Sequence, residues 1–277
     1  MKTLPLLFLS LLTVSILQGQ SNKISLDSVA YFCLPCAADC DHIAFAAAGD
    51  CDHCGMSLTK RTYREQLSMI NNRIKIAFYL QDGVEVLDFA GPMEVFAYAG
   101  YDVFTVSKTK DPIETQGILT FVPDYSIEDA PEADIMAFFG GNSSEPTKDR
   151  KVIKWVTNRI EDTNYFFSVC TGAFILGEAG LLDGRTATTF HNALDGLEKS
   201  YPKAKILRDV RFVDNGNVIT TAGISAGIDG ALHLVAKLNG LEAAEEVAYY
   251  MEYDKWIPGE GLILDEEAKT VYADLEE

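Results

Sequence analysis

The chain has 277 residues, of which 48% are hydrophobic, 10% aromatic and 23% charged, and its formal net charge is −18. This is the composition of an ordinary globular protein, and the length suits one large domain with smaller additions. The acidic balance argues against a nucleic-acid partner, because phosphate neutralisation requires basic clusters that this sequence lacks; we attribute the acidity to solubility.

Residues 1–20 have the pattern of a secretory signal peptide. Lys2 supplies the positive start, residues 6–17 form an apolar core, and residues 18–21 form a small polar exit. The core is short for a membrane span, although an uncleaved anchor is the alternative, and no later segment reaches spanning length. We therefore expect an exported protein, periplasmic or secreted, that is soluble once mature and whose cysteines meet an oxidising compartment.

Residues 29–60 hold five of the six cysteines and few large apolar side chains, so this segment needs a staple in order to fold. Two C-x-x-C motifs lie in this segment, one formed by Cys33 and Cys36 and the other by Cys51 and Cys54, with fourteen residues between them. This spacing predicts a tetrahedral sulfur site for zinc or copper. Further candidate ligands are Cys40, His42 and His53. The alternative is that disulfide bonds stabilise the segment, which would leave one of its five cysteines unpaired.

Residues 61–72 are interpreted as a polar linker, and strands alternate with helices from residue 73 onward. The predicted strands are 74–80, 101–107, 135–139 and 165–169, and the helices among them are 87–99, 148–160 and 171–179. A hairpin follows (204–213 and 217–221, joined by 214–216), then two helices at 226–239 and 241–250. This order predicts an α/β fold with a doubly wound parallel sheet over residues 73–256. Residues 257–277 are interpreted as an acidic, peripheral tail.

The most informative stretch is 165–172, in which an apolar strand delivers Cys170 into a turn of small residues at the start of a helix. A thiol at such a corner lies beside the free N–H groups of a helix N-terminus, and these favour the thiolate. The pattern is the cysteine counterpart of a nucleophile elbow. A buried, inert cysteine at a strand end is the alternative.

Ligands of doubly wound sheets bind at the carboxyl ends of the strands, so the loops after the first and third strands are expected near Cys170. Backbone N–H groups of Thr171 and Gly141 are candidate oxyanion donors there. The candidate proton-handling partners are His191, Asp88 and Glu85. Each has a plain alternative role, His191 as a surface residue and the two acids at a helix start. His233, inside an apolar helix, is interpreted as a packing residue.

Four segments, in order, resemble the motifs of the ThiJ/PfpI superfamily; they are 87–96, 168–173, 180–189 and 222–229. The resemblance covers about residues 72–255 and is nearest to the isonitrile hydratase-like branch and to the ligand domains of related transcription regulators. It implies a flavodoxin-like, class I glutamine amidotransferase-like sandwich that usually forms homodimers. We expect no cofactor in the large domain.

Carried over by position, the resemblance implies that Cys170 is the nucleophile, Asp88 its acid partner, Thr171 a neighbouring site residue and Gly141 the oxyanion-loop residue. It moves the expected partner of the cysteine from His191 to Asp88. The sequence departs from many relatives in two places. Phe190 stands where they have a histidine after the Ala-Thr-Thr run, and Phe139 stands where the oxyanion loop usually has a proline.

The head of the chain resembles the small heavy-metal-binding domain that is attached to metal efflux proteins. That family has Pro-Met-His after its first cysteine, whereas Leu34, Pro35 and Cys36 stand here. The expected function is an exported cysteine-dependent hydratase or hydrolase with a small electrophilic substrate, such as an isonitrile attacked to give a thioimidate. A non-catalytic ligand or redox stress sensor, and a metal-handling protein, are the alternatives.

Overall fold

A computed structural model describes residues 25–35 and 39–275. The predicted signal peptide at 1–20, Cys36, and the last two residues of the predicted tail lie outside the described residues. Across the described part of the chain, every helix is too short or too polar to cross a membrane.

A mostly parallel sheet forms the centre of the large domain. Within the described residues, its strands run in the order β14-β12-β13-β9-β8-β3-β4-β7. Their bounds are β3 Lys75–Tyr79, β4 Asp102–Ser107, β7 Tyr125–Ser126, β8 Ile135–Phe138, β9 Tyr165–Val169, β12 Phe212–Asp214, β13 Val218–Thr221 and β14 Leu262–Ile263. Two short pairs lie outside this sheet, β5 Ile113–Glu114 with β6 Thr120–Phe121 and β10 Thr186–Ala187 with β11 Lys205–Ile206.

Helices cover both faces of the sheet, because its central strands are apolar on both sides. Along β3, Ile76 and Phe78 belong to the core on one face, and Ala77 and Tyr79 to the core on the other. The first core is covered by α2 Val86–Tyr98, α7 Ala226–Asn239 and α8 Leu241–Tyr250, and the second by α4 Arg150–Thr157, α5 Ala173–Glu178 and α6 Leu194–Ser200. Short α3 is Ser144–Lys148. The predicted α/β class is confirmed.

The switch in strand order lies between β3 and β8. The chain first adds β4 and β7 on one side of β3, and then returns to place β8, β9 and β13 on the other side. The register pairs Phe78 with Ala137, and Ala137 with Phe167, in parallel. The carboxyl ends of these strands therefore meet at one edge, where a doubly wound sheet binds its ligands.

The hairpin and the tail differ from their predicted form. The antiparallel hairpin is formed by β12 and β13, whereas residues 205–206 leave it and pair with β10 as β11. Part of the predicted tail is not peripheral, since β14 joins the sheet beside β12 and is followed by α9 Glu266–Thr270. Tyr272 then hydrogen-bonds to buried His233 at 2.8 Å, which anchors this segment to the domain.

The head is built on an antiparallel pair, β1 Val29–Phe32 with β2 Thr59–Thr62, and on α1 Tyr63–Asn71. The predicted linker thus consists of the end of β2 and a helix. Thr62 and Glu65 form a capping box at the start of α1. Buried Gln66 donates from Nε2 to the carbonyl of Cys33 at 3.0 Å and to that of Asp41 at 2.8 Å, so α1 packs as part of the head.

The head contacts the large domain through two tyrosines. Tyr98, the last residue of α2, donates a hydrogen bond to Tyr250 Oη at 3.0 Å, and Tyr250 donates to the carbonyl of Cys54 at 3.3 Å. The two rings are tilted against each other with centroids 3.9 Å apart. Helix α2 therefore touches the head at its C-terminal end, while its first turn carries Asp88.

Candidate active site

Four loops meet at the carboxyl edge of the sheet, one after each of β3, β8, β9 and β13. These four strands are mutually parallel in the sheet, so their following loops emerge on the same side. They bring Asp88, Gly140, Cys170 and Ile224 together. The loop convergence predicted from strand order is thus realised, with a fourth loop added.

Cys170 begins a one-turn 3-10 helix, Cys170–Gly172, directly after β9. Its φ is +58°, a left-handed conformation that costs free energy for a residue with a side chain. The turn is tight, since a β-carbon on Gly172 would lie 2.2 Å from the carbonyl oxygen of Phe138. The backbone of Cys170 is held from both sides, its N–H by the carbonyl of Ala222 at 3.0 Å and its carbonyl by Thr189 Oγ1 at 2.5 Å. The nucleophile-elbow geometry is therefore present.

Asp88 lies in the first turn of α2 and is fully buried. Its two oxygens are divided between two loops. Oδ2 accepts the backbone N–H of Gly140, and Oδ1 accepts the backbone N–H of Ile224, each at 2.9 Å. Ile224 has a φ of +55°, which is rare for a β-branched residue. In this conformation the N–H of Ile224 points at the carboxylate, and the two hydrogen bonds fix the orientation of Asp88.

The thiol of Cys170 and the carboxyl of Asp88 face each other across Gly140. A β-carbon on Gly140 would lie 2.6 Å from Asp88 Oδ2 and 2.7 Å from Cys170 Sγ, so only glycine fits between them. The two side chains are close enough for each to shift the pKa of the other. Cys170 is 7% exposed, so this contact is sheltered from bulk water.

Burial moves both pKa values upward. It raises the pKa of Asp88 to about 6, against the lowering effect of the N–H groups of Ile224 and Gly140. It also raises the pKa of Cys170 to about 12, helped by the Asp88 charge and opposed by the backbone N–H of Thr171. With these values, at neutral pH the Cys170 thiol keeps its proton and the Asp88 carboxyl is mostly ionised. The expectation that the elbow favours a thiolate is reversed, because desolvation and Asp88 outweigh the helix N-terminus.

Gly141 and Thr171 lie beside this pair. Gly141 lies opposite Val84 in an isolated antiparallel bridge. The hydrogen bonds of this bridge are made by the neighbouring residues: the N–H of Glu85 donates to the carbonyl of Gly140, and the N–H of Asn142 donates to the carbonyl of Gly83. In that arrangement the N–H and carbonyl of Gly141 point away from Val84. The carbonyl of Gly141 lies 3.5 Å from Thr171 Oγ1, so the two residues share the elbow side of the loop.

The other sequence candidates lie outside the contact. His191 is exposed, and its ring packs on Phe190 with centroids 4.2 Å apart. Glu85 is the N-cap of α2 and adds a small upward contribution to both pKa values through its charge. His233 is buried against Tyr272 and Asp214, in agreement with its interpretation as a packing residue.

Sequence reasoning did not assign roles to Gly140, Thr189 and Ile224. A glycine pair is too common in turns to single out Gly140, and an isoleucine carries no chemical signal of its own. What Ile224 contributes is a backbone N–H, whose direction depends on a left-handed φ. The signal that could have pointed to Ile224 is its position in the sequence, since residues 222–224 follow a predicted strand, as Cys170 does.

The head contains a separate cluster of sulfur atoms. Those of Cys33, Cys40, Cys51 and Cys54 all lie within 4.8 Å of one another. Three of the four cysteines are buried, and none of the cysteines described by the structure is in a disulfide. Exposed His42 and His53 are not part of the cluster, and the predicted ligand Cys36 lies outside the described residues. This donor set is all sulfur, which suits zinc or copper(I).

Comparison with known proteins shows the family of the large domain. Residues 74–237 match the DJ-1/PfpI family. Isonitrile hydratase from Pseudomonas putida is 35% identical over 185 residues, which cover 65% of this chain and 78% of that protein. The HTH-type transcriptional regulator CdhR of Pseudomonas aeruginosa is 27% identical over 177 residues, which cover 62% of this chain and 52% of the regulator. This chain thus spans about half of that regulator.

A solved structure agrees with the sequence relatives. The crystal structure of a ThiJ/PfpI family protein from Pseudomonas syringae superposes with a TM-score of 0.62 and 31% identity, over 68% of this chain and 78% of that one. The resemblance that the four sequence motifs predicted is therefore confirmed for the large domain. The head, at residues 29–60, precedes the matched family region.

Proposed function

Since this chain belongs to the DJ-1/PfpI family, we propose that it is a cysteine-dependent hydratase or hydrolase with a small electrophilic substrate of the isonitrile class. The observation that carries the proposal is the contact between Cys170 and Asp88 across Gly140. The similarity to isonitrile hydratase supports the choice of substrate class. We take the substrate to be a small molecule and not a nucleic acid.

In the first step Cys170 Sγ bonds to the terminal carbon of the isonitrile. Asp88 accepts the thiol proton while that bond forms and delivers the proton to the same carbon, which gives a thioimidate. The pKa difference between the two groups disfavours a free thiolate, so the proton leaves as the carbon–sulfur bond forms. Holding donor and acceptor together removes the entropic cost of bringing them into contact.

In the second step water adds to the thioimidate carbon, and Asp88 accepts a proton from the water. The nitrogen gains a proton, the carbon–sulfur bond breaks, and the N-substituted formamide leaves while Cys170 recovers its proton. The backbone N–H groups of Gly141 and Thr171 stabilise the oxygen of the tetrahedral adduct. The net change is the addition of one water to the isonitrile.

The burial of the Cys170 thiol favours an enzyme over a redox stress sensor. Sensor cysteines have low pKa values and are accessible to solvent, whereas this thiol is buried and held protonated. A nucleophile that reacts only with a bound substrate is consistent with both properties.

We also propose export, a metal-binding head and a homodimer. Export is supported by the signal-like residues 1–20, and the head by its cysteine cluster. A homodimer is supported by exposed apolar side chains on either side of β6, which are Ile118, Leu119 and Val122. Light scattering of the purified protein tests the dimer, and the N-terminal residue of the protein recovered after export tests cleavage.

The decisive test compares wild type with Cys170→Ser on a panel of isonitriles, amides and dicarbonyls. Formamide formation is followed by mass spectrometry, together with the intact mass of the protein. We expect formamide and a transient adduct on Cys170 in the wild type, and neither in the variant. A wild type that turns over no member of the panel rejects the enzyme, and turnover confined to amides or dicarbonyls rejects the isonitrile class.

A further inference from the structure

The sulfur atoms of four cysteines form one compact cluster in the head, all within 4.8 Å of one another. Cys33 follows β1, Cys40 lies on a 3-10 turn at Asp39–His42, and Cys51 and Cys54 lie on a single loop. Cys54 Sγ lies 3.7 Å from Cys33 Sγ. A zinc ion about 2.3 Å from four sulfurs has tetrahedral edges of about 3.8 Å, whereas a disulfide needs about 2.05 Å.

The loop that carries Cys51 and Cys54 is held by its own backbone hydrogen bonds. The N–H of His53 points at Cys51 Sγ at 3.4 Å, and the N–H of Gly55 bonds to the carbonyl of Cys51 at 2.8 Å. Gly55 has a φ of +76°, which lets the loop return after Cys54. Loops of this kind present two sulfurs to one point.

The surroundings also hold the other two cysteines in place. The side-chain amide of Gln66 in α1 donates hydrogen bonds to two backbone carbonyls. One belongs to Cys33, and the other belongs to Asp41, the residue after Cys40. Cys33 and Cys40 are almost fully buried, and the apolar cluster around the sulfurs contains Met56 but few other large buried groups. A head with so small a core depends on another source of stability.

We propose that Cys33, Cys40, Cys51 and Cys54 bind one zinc ion as a closed tetrathiolate. This rests on the proposed metal-binding role of the head and specifies its ligands, with Cys40 in the place that the C-x-x-C spacing assigned to Cys36. Binding releases the four thiol protons and involves no redox change. All four positions are protein sulfur, so the site is structural, and its binding energy folds the head. It also protects four neighbouring thiols from pairing in an oxidising compartment.

The test measures zinc per chain in the full-length protein after removal of metal and reconstitution with zinc. We expect one zinc in wild type, and we expect it to be lost in Cys40→Ser. The matched control is Cys36→Ser, which keeps the metal; His42→Ala and His53→Ala keep it as well. Reconstitution with cobalt(II) gives the visible spectrum of a tetrahedral thiolate site, which is unchanged in Cys36→Ser.

Loss of zinc in Cys36→Ser together with retention in Cys40→Ser overturns the ligand set. A wild-type mass lower by four hydrogens, with no metal, indicates two disulfides and overturns the site. Preferential binding of copper(I) over zinc overturns the choice of metal. If Cys40→Ser fails to fold its head, the spectrum of Cys36→Ser still decides. Isonitrile turnover is measured on the same samples, so failure of the enzyme proposal is seen separately.

Discussion

Asp88 and Cys170 meet across the unsubstituted face of Gly140, with the carboxylate fixed by two backbone N–H groups and the thiol raised on a strained elbow. The contact joins the loops after three neighbouring parallel strands. Because burial raises both pKa values, the proposed mechanism transfers the proton from Cys170 to Asp88 only as the sulfur attacks. The predictions on catalysis follow from this relationship.

Replacing Asp88 by asparagine is expected to lower kcat/KM for an isonitrile by about 10²- to 10⁴-fold, because the thiol loses its proton acceptor. Steady-state kinetics with a folding check by circular dichroism measures the effect. Glu94→Gln is the matched control, since Glu94 is an exposed carboxylate on the same helix. An Asp88→Asn enzyme with wild-type kinetics would exclude Asp88 as the base.

The pH profile is expected to follow Asp88 and not the thiol. With the pKa of Asp88 raised to about 6, the carboxylate is mostly protonated at pH 5 and mostly ionised at pH 7. Since the ionised form accepts the proton, kcat/KM rises with pH through about 6 and then stays level. A second rise near an ordinary cysteine pKa of about 8.5 would show that a free thiolate attacks. Initial rates between pH 4.5 and 9.5 distinguish the two.

Gly140→Ala is expected to abolish turnover and to lower the free energy of unfolding by about 1–3 kcal/mol, the usual range for overpacking. Its new methyl group would overlap both Asp88 Oδ2 and Cys170 Sγ. Urea unfolding and kinetics measure the two effects. The control is Gly196→Ala in α6, where the added carbon meets only Phe174 at 3.6 Å and the helix gains about 0.5–1 kcal/mol. Equal behaviour of the two variants contradicts the close approach.

Tyr250→Phe is expected to loosen the head by about 0.5–1.5 kcal/mol, because it removes the donor to the Cys54 carbonyl and the acceptor for Tyr98. Hydrogen exchange of the amides at 51–58 should quicken, while the zinc content stays the same. Tyr249→Phe serves for comparison, since that neighbouring side chain is 88% exposed. Unchanged exchange in Tyr250→Phe would mean that these bonds do not hold the head.

The sequence by itself determined the fold class and the central strands, and it singled out Cys170 as the candidate nucleophile. The apolar runs at 135–139 and 165–169 are long enough to require burial on both faces, and alternating order then requires a parallel sheet. Cys170 follows such a run, so its place at the carboxyl edge was already decided. Asp88 was one of two candidate acids, with Glu85, beside a candidate histidine, His191, until the family motifs selected it.

Only the tertiary structure decided which atoms meet. The N–H groups of Gly140 and Ile224 reach Asp88 from loops 52 and 136 residues away, and no local pattern encodes such contacts. The upward shift of the Cys170 pKa was also decided by the tertiary structure, because desolvation depends on the residues that the fold packs around the thiol. In the head, spacing favoured Cys36, but packing on α1 brought Cys40 to the other three sulfurs. Sequence spacing limits which groups can meet, and the packing of distant segments selects among them.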